Sequence, residues 1–386
     1  MTKRVEETRE EVLRFFNADP DEYVVIFTPN ASGALRLIGE SYPFTADSNY
    51  LLTFDNHNSV NGISEFARRR GATITYIPVG LPEMRVDADA VRTALSCARP
   101  EAHHLFAYPA QSNFTGVQHS LQWIAEAQAR GWDVLLDAAA FAPTNQLDLR
   151  RWHPDFVDLS FYKMFGYPTG IGCLLARKSA LQKLRRPWYA GGTITFSSVL
   201  ADSHYLTPGV SGFEDGTVNY LNIPAITLGL RLLDSIGLEV IHKRVRCLTA
   251  WLIEQLIAIR HRNGRPVIQL YGPVNGACHG GTVQVNFFDR EGQMIDCTVV
   301  EQKANAHNIS LRAGCHCNPG AREIALGIPR EQLADCFRDQ HNKTFEQFLH
   351  SIQGKTTGAL RASIGLASNF ADVYAYVQFA KSFVER

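Results

Sequence analysis

Short β-branched segments alternate with helix-forming segments over residues 20–230 of the chain. The strand-like segments include YVVIF, YLLTF, ATITYIPV, HHLFAYP, WDVLLD and VDLSF, and the intervening segments, such as ASGALRLIGESY and SLQWIAEAQARG, have helical periodicity. A chain with this order forms a mostly parallel sheet whose two faces are covered by helices. The pattern therefore predicts an α/β fold for this part of the chain.

The pattern changes near residue 235. The segment LGLRLLDSIGLEVIHKRVRCLTAWLIEQL predicts one or two long helices, and VIQLYG, GTVQVNFFD and ISLRAG predict strands of a smaller α+β unit. We therefore predict a large α/β domain over residues 1–235 and a small C-terminal α+β domain over residues 236–386. The sequence contains no repeat or long flexible linker, so we expect the two units to pack closely.

The charges of the chain balance, since 38 lysines and arginines face 38 aspartates and glutamates. No general attraction to nucleic acid or to an anionic membrane is expected from this balance. The first segment, MTKRVEETREEVLRFF, lacks the apolar core of a secretory signal, and no later segment is long enough to span a membrane. Eight scattered cysteines are typical of reduced thiols, so we expect a cytoplasmic protein.

The first candidate binding segment is VVIFTPNASGAL, at a junction between strand and helix. Ligands of open α/β sheets bind where strands end. Here a strand is predicted to end at Phe27 and a helix to start near Asn30, which leaves free backbone N–H groups beside the hydroxyl of Ser32. This arrangement is suited to a phosphate group, and a simple helix cap is the alternative.

The second junction, DVLLDAAAFAPTN, places Asp137 at the end of a fully apolar strand. A buried carboxylate needs a cation or a hydrogen-bond donor as its partner, and a protonated pyridine nitrogen meets that need. The three alanines that follow leave room for a flat ring. The alternative is a structural aspartate that caps the next turn.

The third junction, VDLSFYKMFGYPTGIG, carries Lys163 between the hydroxyls of Ser160 and Tyr162. Because Phe161 and Met164 are also adjacent, we predict that the ammonium group is partly desolvated, which would lower its pKa and make the amine a nucleophile. The alternative is an ordinary surface lysine.

An anion cradle, a strand-end aspartate and a strand-end lysine together match the needs of pyridoxal 5′-phosphate (PLP), which requires a phosphate clamp, a carboxylate at its ring nitrogen and a lysine amine. Two further residues fit this cofactor. His57 is suited to stacking on the ring and Asn113 to a hydrogen bond with the phenolic oxygen, although a helix-capping histidine and a turn-forming asparagine are the alternatives.

The segment ISLRAGCHCNPGARE contains Cys315 and Cys317 on either side of His316. The Cys-X-Cys spacing lacks a second cluster at zinc-like distance, so we predict no metal site. A thiol on a mobile loop beside His316 and Arg312 is instead suited to act as a nucleophile, but spacing alone does not select the cysteine. Downstream, Arg361 in GALRASIGLASN is suited to binding a carboxylate, with an ordinary salt bridge as the alternative.

Several segments together resemble one known family. They are FTPNASGALRL, DNHNSVNG, YPAQSNFTG, VLLDAAAF, SFYKMFGYPTGIG, FEDGTVN and LRAGCHCNPGA. From about residue 5 to its end the chain is similar to the cysteine-desulfurase-like domain of molybdenum cofactor sulfurases, within the class V group of PLP enzymes. The resemblance implies a fold type I enzyme with a mostly parallel, seven-stranded-type sheet. It also implies a homodimer that takes sulfur from L-cysteine as a persulfide and releases L-alanine.

The resemblance also implies a role for each matching residue. Lys163 would form the Schiff base, Asp137 would pair with the ring nitrogen, and His57 would stack on the ring. Cys317 would carry the persulfide, and Arg361, with Arg312 close by, would bind the substrate carboxylate. The implied cofactor contacts also include Ala31, Ser32, Ser160 and Tyr162 at the phosphate, Thr217 at the phosphate of the neighbouring subunit, and Asn113 at the phenolic oxygen.

Two departures from the family pattern leave alternatives open. Family members carry a strand and loop ahead of the helix with which this sequence opens, and many cysteine desulfurases have a glutamine at the position of Ala140. A PLP-dependent C–S lyase acting on a cysteine conjugate therefore remains the alternative enzyme, and a cofactor-free scaffold is a third interpretation. The sequence does not indicate the sulfur acceptor.

Overall fold

The structure is a computed structural model that describes residues 1–276, 278–338 and 358–386. Its strands are β1 (Tyr23–Thr28), β2 (Asn49–Thr53), β3 (Thr73–Ile77), β4 (Val79–Gly80), β5 (Arg85–Val86), β6 (His104–Pro109), β7 (Trp132–Asp137), β8 (Phe156–Ser160), β9 (Gly172–Arg177), β10 (Ile194–Ser198), β11 (Ser203–Leu206), β12 (Ile268–Tyr271), β13 (Thr282–Phe288), β14 (Met294–Ile295), β15 (Arg312–Gly314) and β16 (Ala359–Ser363).

The helices of the described residues surround these strands. They are α1 (Thr2–Phe15), α2 (Ala31–Ser41), α3 (Asn58–Asn61), α4 (Ile63–Arg69), α5 (Ala88–Leu95), α6 (Gln122–Gln128), α7 (Phe161–Phe165), α8 (Lys178–Leu181), α9 (Ala225–Ile236), α10 (Leu238–Ile257), α11 (Cys297–Ala306), α12 (Pro319–Ala325), α13 (Arg330–Arg338) and α14 (Phe370–Lys381). None of them is long and apolar enough to cross a membrane.

The large sheet has seven strands in the order β1-β9-β8-β7-β6-β2-β3. Strands β8, β7, β6, β2 and β3 run parallel, and β9 runs antiparallel to both of its neighbours. Every residue of β6, β7 and β8 is buried, as expected for strands that helices cover on both faces. The predicted α/β fold with a mostly parallel, seven-stranded sheet is confirmed, although β9 was not predicted.

A smaller antiparallel sheet follows, with the order β12-β13-β16-β15 and β14 paired to β13. The predicted boundary near residue 235 falls at the end of α9, where Gly237 adopts a φ of +89° before α10 begins. One continuous apolar cluster includes Leu136 of the large sheet and Val285 of the small sheet. The division into domains 1–235 and 236–386 stays a prediction.

The sheet topology determines where functional side chains meet. Strands β2, β6, β7 and β8 are parallel, so their carboxyl ends lie at the same edge of the sheet. Asp137 is the last residue of β7, and His57, Asn113 and Lys163 follow the ends of β2, β6 and β8. Strands β15 and β16 of the small sheet contribute residues to the same region, because Arg361 of β16 contacts the backbone of Asn113.

Candidate active site

Two neighbouring cavities, each of about 440 Å³, lie at this edge of the large sheet. They share His57, Ala139, Tyr162 and Lys163. The first, which we call the Cys317 cavity, also contains Asn113, Arg312, Cys317 and Arg361. The second, which we call the Asp137 cavity, also contains Ala31, Ser32, Asp137 and Ser160. The structure thus brings together every site residue predicted from the sequence except Thr217.

The predicted anion cradle is formed by the start of α2. Asn30 is the N-cap, and its side chain accepts a hydrogen bond from the N–H of Gly33 at 2.9 Å. The first N–H groups of a helix have no acceptor within the helix, so those of Ala31 and Ser32 are available to an anion. A Cβ on Gly172 would lie 2.7 Å from the nitrogen of Ala31, so this glycine lets β9 approach the cradle.

Asp137 ends β7 and is 9% exposed. One of its carboxylate oxygens accepts a hydrogen bond from the N–H of Ala139 at 2.9 Å. Asp137 therefore caps the turn that follows β7, as the structural alternative predicted. The residue also lines the Asp137 cavity. The same carboxylate is therefore held in place by the chain and available to a ligand.

Lys163 lies in the short helix α7 and is exposed. Phe161 and Met164 point into the core instead and are buried. The prediction that these apolar neighbours desolvate the ammonium group is therefore wrong, because a helix places adjacent residues on different faces. The lysine still faces both cavities.

His57 is half-buried and caps α3, since its Nδ1 atom accepts a hydrogen bond from the N–H of Ser59 at 3.1 Å. Burial lowers the pKa of the imidazole, and the positive charges of Lys163 and Arg361 lower it further, against the opposing effect of Asp137. A neutral ring that lines both cavities is suited to packing against an aromatic ligand. The helix-capping alternative is therefore present, and the stacking role stays a prediction.

The segment of Cys317 is held by hydrogen bonds to residues that follow strands β2 and β6. The N–H of Asn58 donates to the backbone carbonyl of Cys317 at 2.7 Å, and Nδ2 of Asn113 donates to that of His316 at 2.7 Å. Nδ2 of Asn318 donates to the carbonyl of Asp55 at 2.7 Å. Backbone groups on each side of the thiol are therefore hydrogen-bonded in this structure, and the mobility of the loop stays a prediction.

Cys317 and Cys315 differ in their positions. Cys317 is exposed and lines the cavity, whereas Cys315 is half-buried and is not among the lining residues. His316 is 7% exposed, and burial together with the charges of Arg361 and Arg312 lowers its pKa to about 3. His316 is therefore neutral near pH 7. An uncharged ring supplies no positive charge to stabilise a thiolate on Cys317.

Arg312 and Arg361 occupy directly opposite positions on β15 and β16. Among the described residues, neither guanidinium has an aspartate or glutamate within 4.0 Å, so the salt-bridge alternative is not observed there. Nη1 of Arg361 donates to the backbone carbonyl of Asn113 at 3.0 Å, and its buried Nε atom has no partner. Like charges opposed across strands are unfavourable, so this pair is suited to an anionic ligand.

Thr217 lies apart from the other predicted residues. It is exposed and lines a third cavity of about 410 Å³, together with Phe27 and Glu214. The resemblance implies that it contacts the phosphate of a cofactor bound in the neighbouring subunit, not one in its own. That expectation stays a prediction.

Two residues of the site were missed at the sequence level. Asn318 was interpreted only as part of a loop, although it is fully buried and fastens the cysteine segment to the large domain. Asp158 lies fully buried in β8 and lines the Asp137 cavity. The signal that could have found it is a carboxylate inside the otherwise apolar segment VDLSF.

No group of three or more histidine, cysteine or acidic side chains in the described ranges is placed to hold a metal ion.

The chain is similar in sequence to known proteins. The profile described as Aminotransferase class-V matches residues 1–375. The molybdenum cofactor sulfurase of Arabidopsis thaliana is 34% identical over 97% of this chain, and the match covers 50% of the plant protein. The chain spans about half the length of the curated relatives it matches.

Solved structures show the same fold. A cysteine desulfurase from Thermococcus onnurineus superposes with a TM-score of 0.80 at 24% identity and covers 100% of this chain and 84% of its own. The cystine C–S lyase C-DES, solved with its product cysteine persulfide, has a TM-score of 0.74 at 18% identity, covering 99% of this chain and 87% of its own. Another structure of C-DES contains a PLP cofactor linked to glycine.

Proposed function

The chain belongs to the class-V aminotransferase family, and we propose that it is a PLP-dependent cysteine desulfurase or sulfurtransferase. The observation that carries the proposal is that Lys163, Cys317 and Arg361 line one cavity. An amine for the cofactor, a thiol for the sulfur and a guanidinium for the carboxylate are the groups that this reaction requires. The similarity to molybdenum cofactor sulfurases supports the same activity.

The residues of the Asp137 cavity fit PLP. The start of α2 and the hydroxyl of Ser32 would hold the phosphate, and the Asp137 carboxylate would pair with the ring nitrogen. Gly172 adds no side chain to the cradle, since a Cβ at this position would lie 2.7 Å from the nitrogen of Ala31. When bound, PLP supplies an electron sink that allows a proton to leave the α-carbon of an amino acid.

The residues of the Cys317 cavity would act on the substrate. Arg361 would bind the carboxylate of L-cysteine through the N–H groups that its contact with Asn113 leaves free. The Nζ atom of Lys163 would accept the α-proton, because it faces both cavities. The Sγ thiolate of Cys317 would attack the substrate sulfur, so that an S–S bond forms as the Cβ–S bond of the substrate breaks. The electron pair of the broken bond would stay on the substrate carbon, which would be protonated to give L-alanine.

The decisive experiment loads the purified protein with PLP. The sample should turn yellow, and borohydride should bleach the colour and attach the cofactor to the peptide that contains Lys163. L-cysteine should then yield L-alanine and a persulfide on Cys317, detected by mass spectrometry. A colourless protein, or a coloured one that leaves L-cysteine unchanged, would contradict the proposal.

The alternative is a PLP-dependent C–S lyase that acts on a cysteine conjugate. The Cys317→Ser variant separates the two activities. A desulfurase loses persulfide formation with this substitution, because the thiol accepts the sulfur. A lyase continues to release its product, because the thiol takes no part in its reaction.

We further propose that the enzyme is a homodimer formed through the ribbon β10–β11. This ribbon exposes Phe196, Val199, Leu200 and Tyr205, which are 61–103% exposed. The segment of Thr217 is tied to the base of the ribbon, since the N–H of Gly216 donates to the carbonyl of Gly191 at 2.8 Å. A second copy seated on the ribbon would carry Thr217 to the neighbouring phosphate cradle.

A further inference from the structure

Asp158 is a buried carboxylate for which the proposed reaction has no use. It lies in the middle of β8 with 0% exposure, and neither of its carboxylate oxygens has a hydrogen-bond partner. An ionised carboxylate in such surroundings is strongly unfavourable. A role for the residue must therefore come from what lies next to it.

Its neighbour is Asp137. The two residues are register partners on the parallel strands β7 and β8, and the N–H of Ala138 donates to the backbone carbonyl of Asp158 at 3.3 Å. Neighbouring strands lie about 4.8 Å apart, and paired positions place their side chains on the same face of the sheet. Both carboxylates line the Asp137 cavity, where the ring of the cofactor is expected.

The charges around Asp158 favour its neutral form. Burial raises the pKa of this carboxyl group well above its usual value, the charge of Asp137 raises it further, and Lys163 opposes both effects. The other titratable groups that interact with it are the Tyr50 hydroxyl on β2 and the Cys173 thiol on β9, both fully buried. Burial and the charge of its register partner Asp137 therefore both favour a proton on Asp158.

We propose that Asp158 is a positioning residue, which stays protonated and donates a hydrogen bond to the Asp137 carboxylate. The pair then presents a single negative charge to the ring nitrogen, and Asp137 is held between this donor and the N–H of Ala139. The inference rests on the proposed PLP function, because the oriented carboxylate matters only if a ring nitrogen binds there. Asp158 acts through Asp137 and does not itself touch the ring.

Two substitutions test the donor. Asp158→Asn keeps the shape and an N–H donor, whereas Asp158→Leu keeps the approximate volume and removes the donor. The expected result is that D158N binds PLP within about threefold of the wild type, while D158L binds it about tenfold to a hundredfold more weakly, the range for losing a hydrogen bond to a charged group. The exposed Asp21→Asn variant is the control.

Two readouts do not depend on turnover. The infrared spectrum of the cofactor-free protein at pH 7 should contain the carbonyl band of a neutral carboxylic acid, and D158N should diminish this band while D21N does not. The pH titration of the bound cofactor's absorption should be shifted in D158L and restored in D158N. Thermal unfolding of the cofactor-free D158L protein shows whether the variant is folded.

The outcomes separate the two proposals. If the wild type binds no PLP, the proposed function fails. If the wild type binds PLP but D158L binds it equally well, or if D158N is as weak as D158L, the positioning role is overturned. An infrared band unchanged in D158N would equally overturn it, because Asp158 would then be ionised. If D158L is unfolded, the inference is decided by the infrared band and by the D158N titration.

Discussion

The side-chain amide of Asn113 donates a hydrogen bond to the backbone carbonyl of His316 over 2.7 Å. Asn113 follows a strand of the large sheet, and His316 directly precedes the cysteine that is expected to carry sulfur. The amide oxygen of Asn113 also accepts a hydrogen bond from Asn318 at 2.9 Å. The segment that carries the Cys317 thiol is thus positioned by a residue that follows a strand of the large sheet.

The Asn318→Ala variant tests this positioning. It removes the hydrogen bonds to Asp55 and Asn113 and leaves buried acceptors without partners, a change that costs about 1–3 kcal/mol. We expect PLP binding to be retained and persulfide formation on Cys317 to slow by at least about tenfold, since a misplaced thiolate reacts less readily. Absorption spectra and mass spectrometry measure the two effects.

The exposed Asn305→Ala variant on α11 is the matched control for this experiment. It should leave both PLP binding and persulfide formation at the level of the wild type. Equal losses of PLP binding and persulfide formation in N318A would instead mean that the substitution disrupts the whole site.

The Arg361→Lys variant tests carboxylate binding. Lysine keeps the charge but lacks the planar fork that binds a carboxylate through two parallel hydrogen bonds. We expect KM for L-cysteine to rise by about tenfold to a hundredfold with a smaller change in kcat, which steady-state assay of alanine measures. The exposed Arg69→Lys is the control. An unchanged KM would show that the substrate carboxylate is bound elsewhere.

Strand and helix patterns predicted the parallel sheet because β6, β7 and β8 are buried on both faces and therefore apolar throughout. They also placed Asp137 and Lys163 at strand ends. Local sequence patterns do not specify contacts between residues that are distant in sequence. The bond of Asn318 to Asp55 joins residues 263 positions apart, and no local pattern carries that information. The exposure of Lys163 was missed because the short helix α7 rotates its apolar neighbours away.

The stability of the protein should depend on pH through His316. Its folded-state pKa is about 3, below the usual value of 6.5, so between these values the unfolded chain binds a proton that the folded chain does not. The contribution to stability is therefore complete above pH 6.5 and is lost as the pH falls toward 3. From pH 7 to pH 5 this one group should cost about 1–2 kcal/mol of unfolding free energy.

Urea unfolding of the cofactor-free protein at pH 7 and pH 5 measures this difference. In the His316→Gln variant, the decrease in the free energy of unfolding from pH 7 to pH 5 should be smaller by about 1–2 kcal/mol, since the group that binds the proton is absent. The same substitution at the exposed His307 should give the same decrease in the free energy of unfolding as the wild type shows. If H316Q and the wild type lose the same free energy, His316 does not have a lowered pKa in the folded protein.

The Leu200→Asp variant tests the proposed dimer. Leu200 is 103% exposed at the tip of the ribbon, and a contact with a second copy would bury it once in each subunit of a symmetric pair. Placing a carboxylate there should raise the dimer dissociation constant by at least about a hundredfold, because an unpaired charge would be buried twice. Sedimentation velocity measures the association.

Since Thr217 lies on the segment tied to the ribbon, dissociation should also weaken PLP binding at the cradle of the other subunit. Leu81→Asp, at an exposed site on a different loop, should change neither property, and a monomeric wild type that binds PLP fully would contradict the shared site.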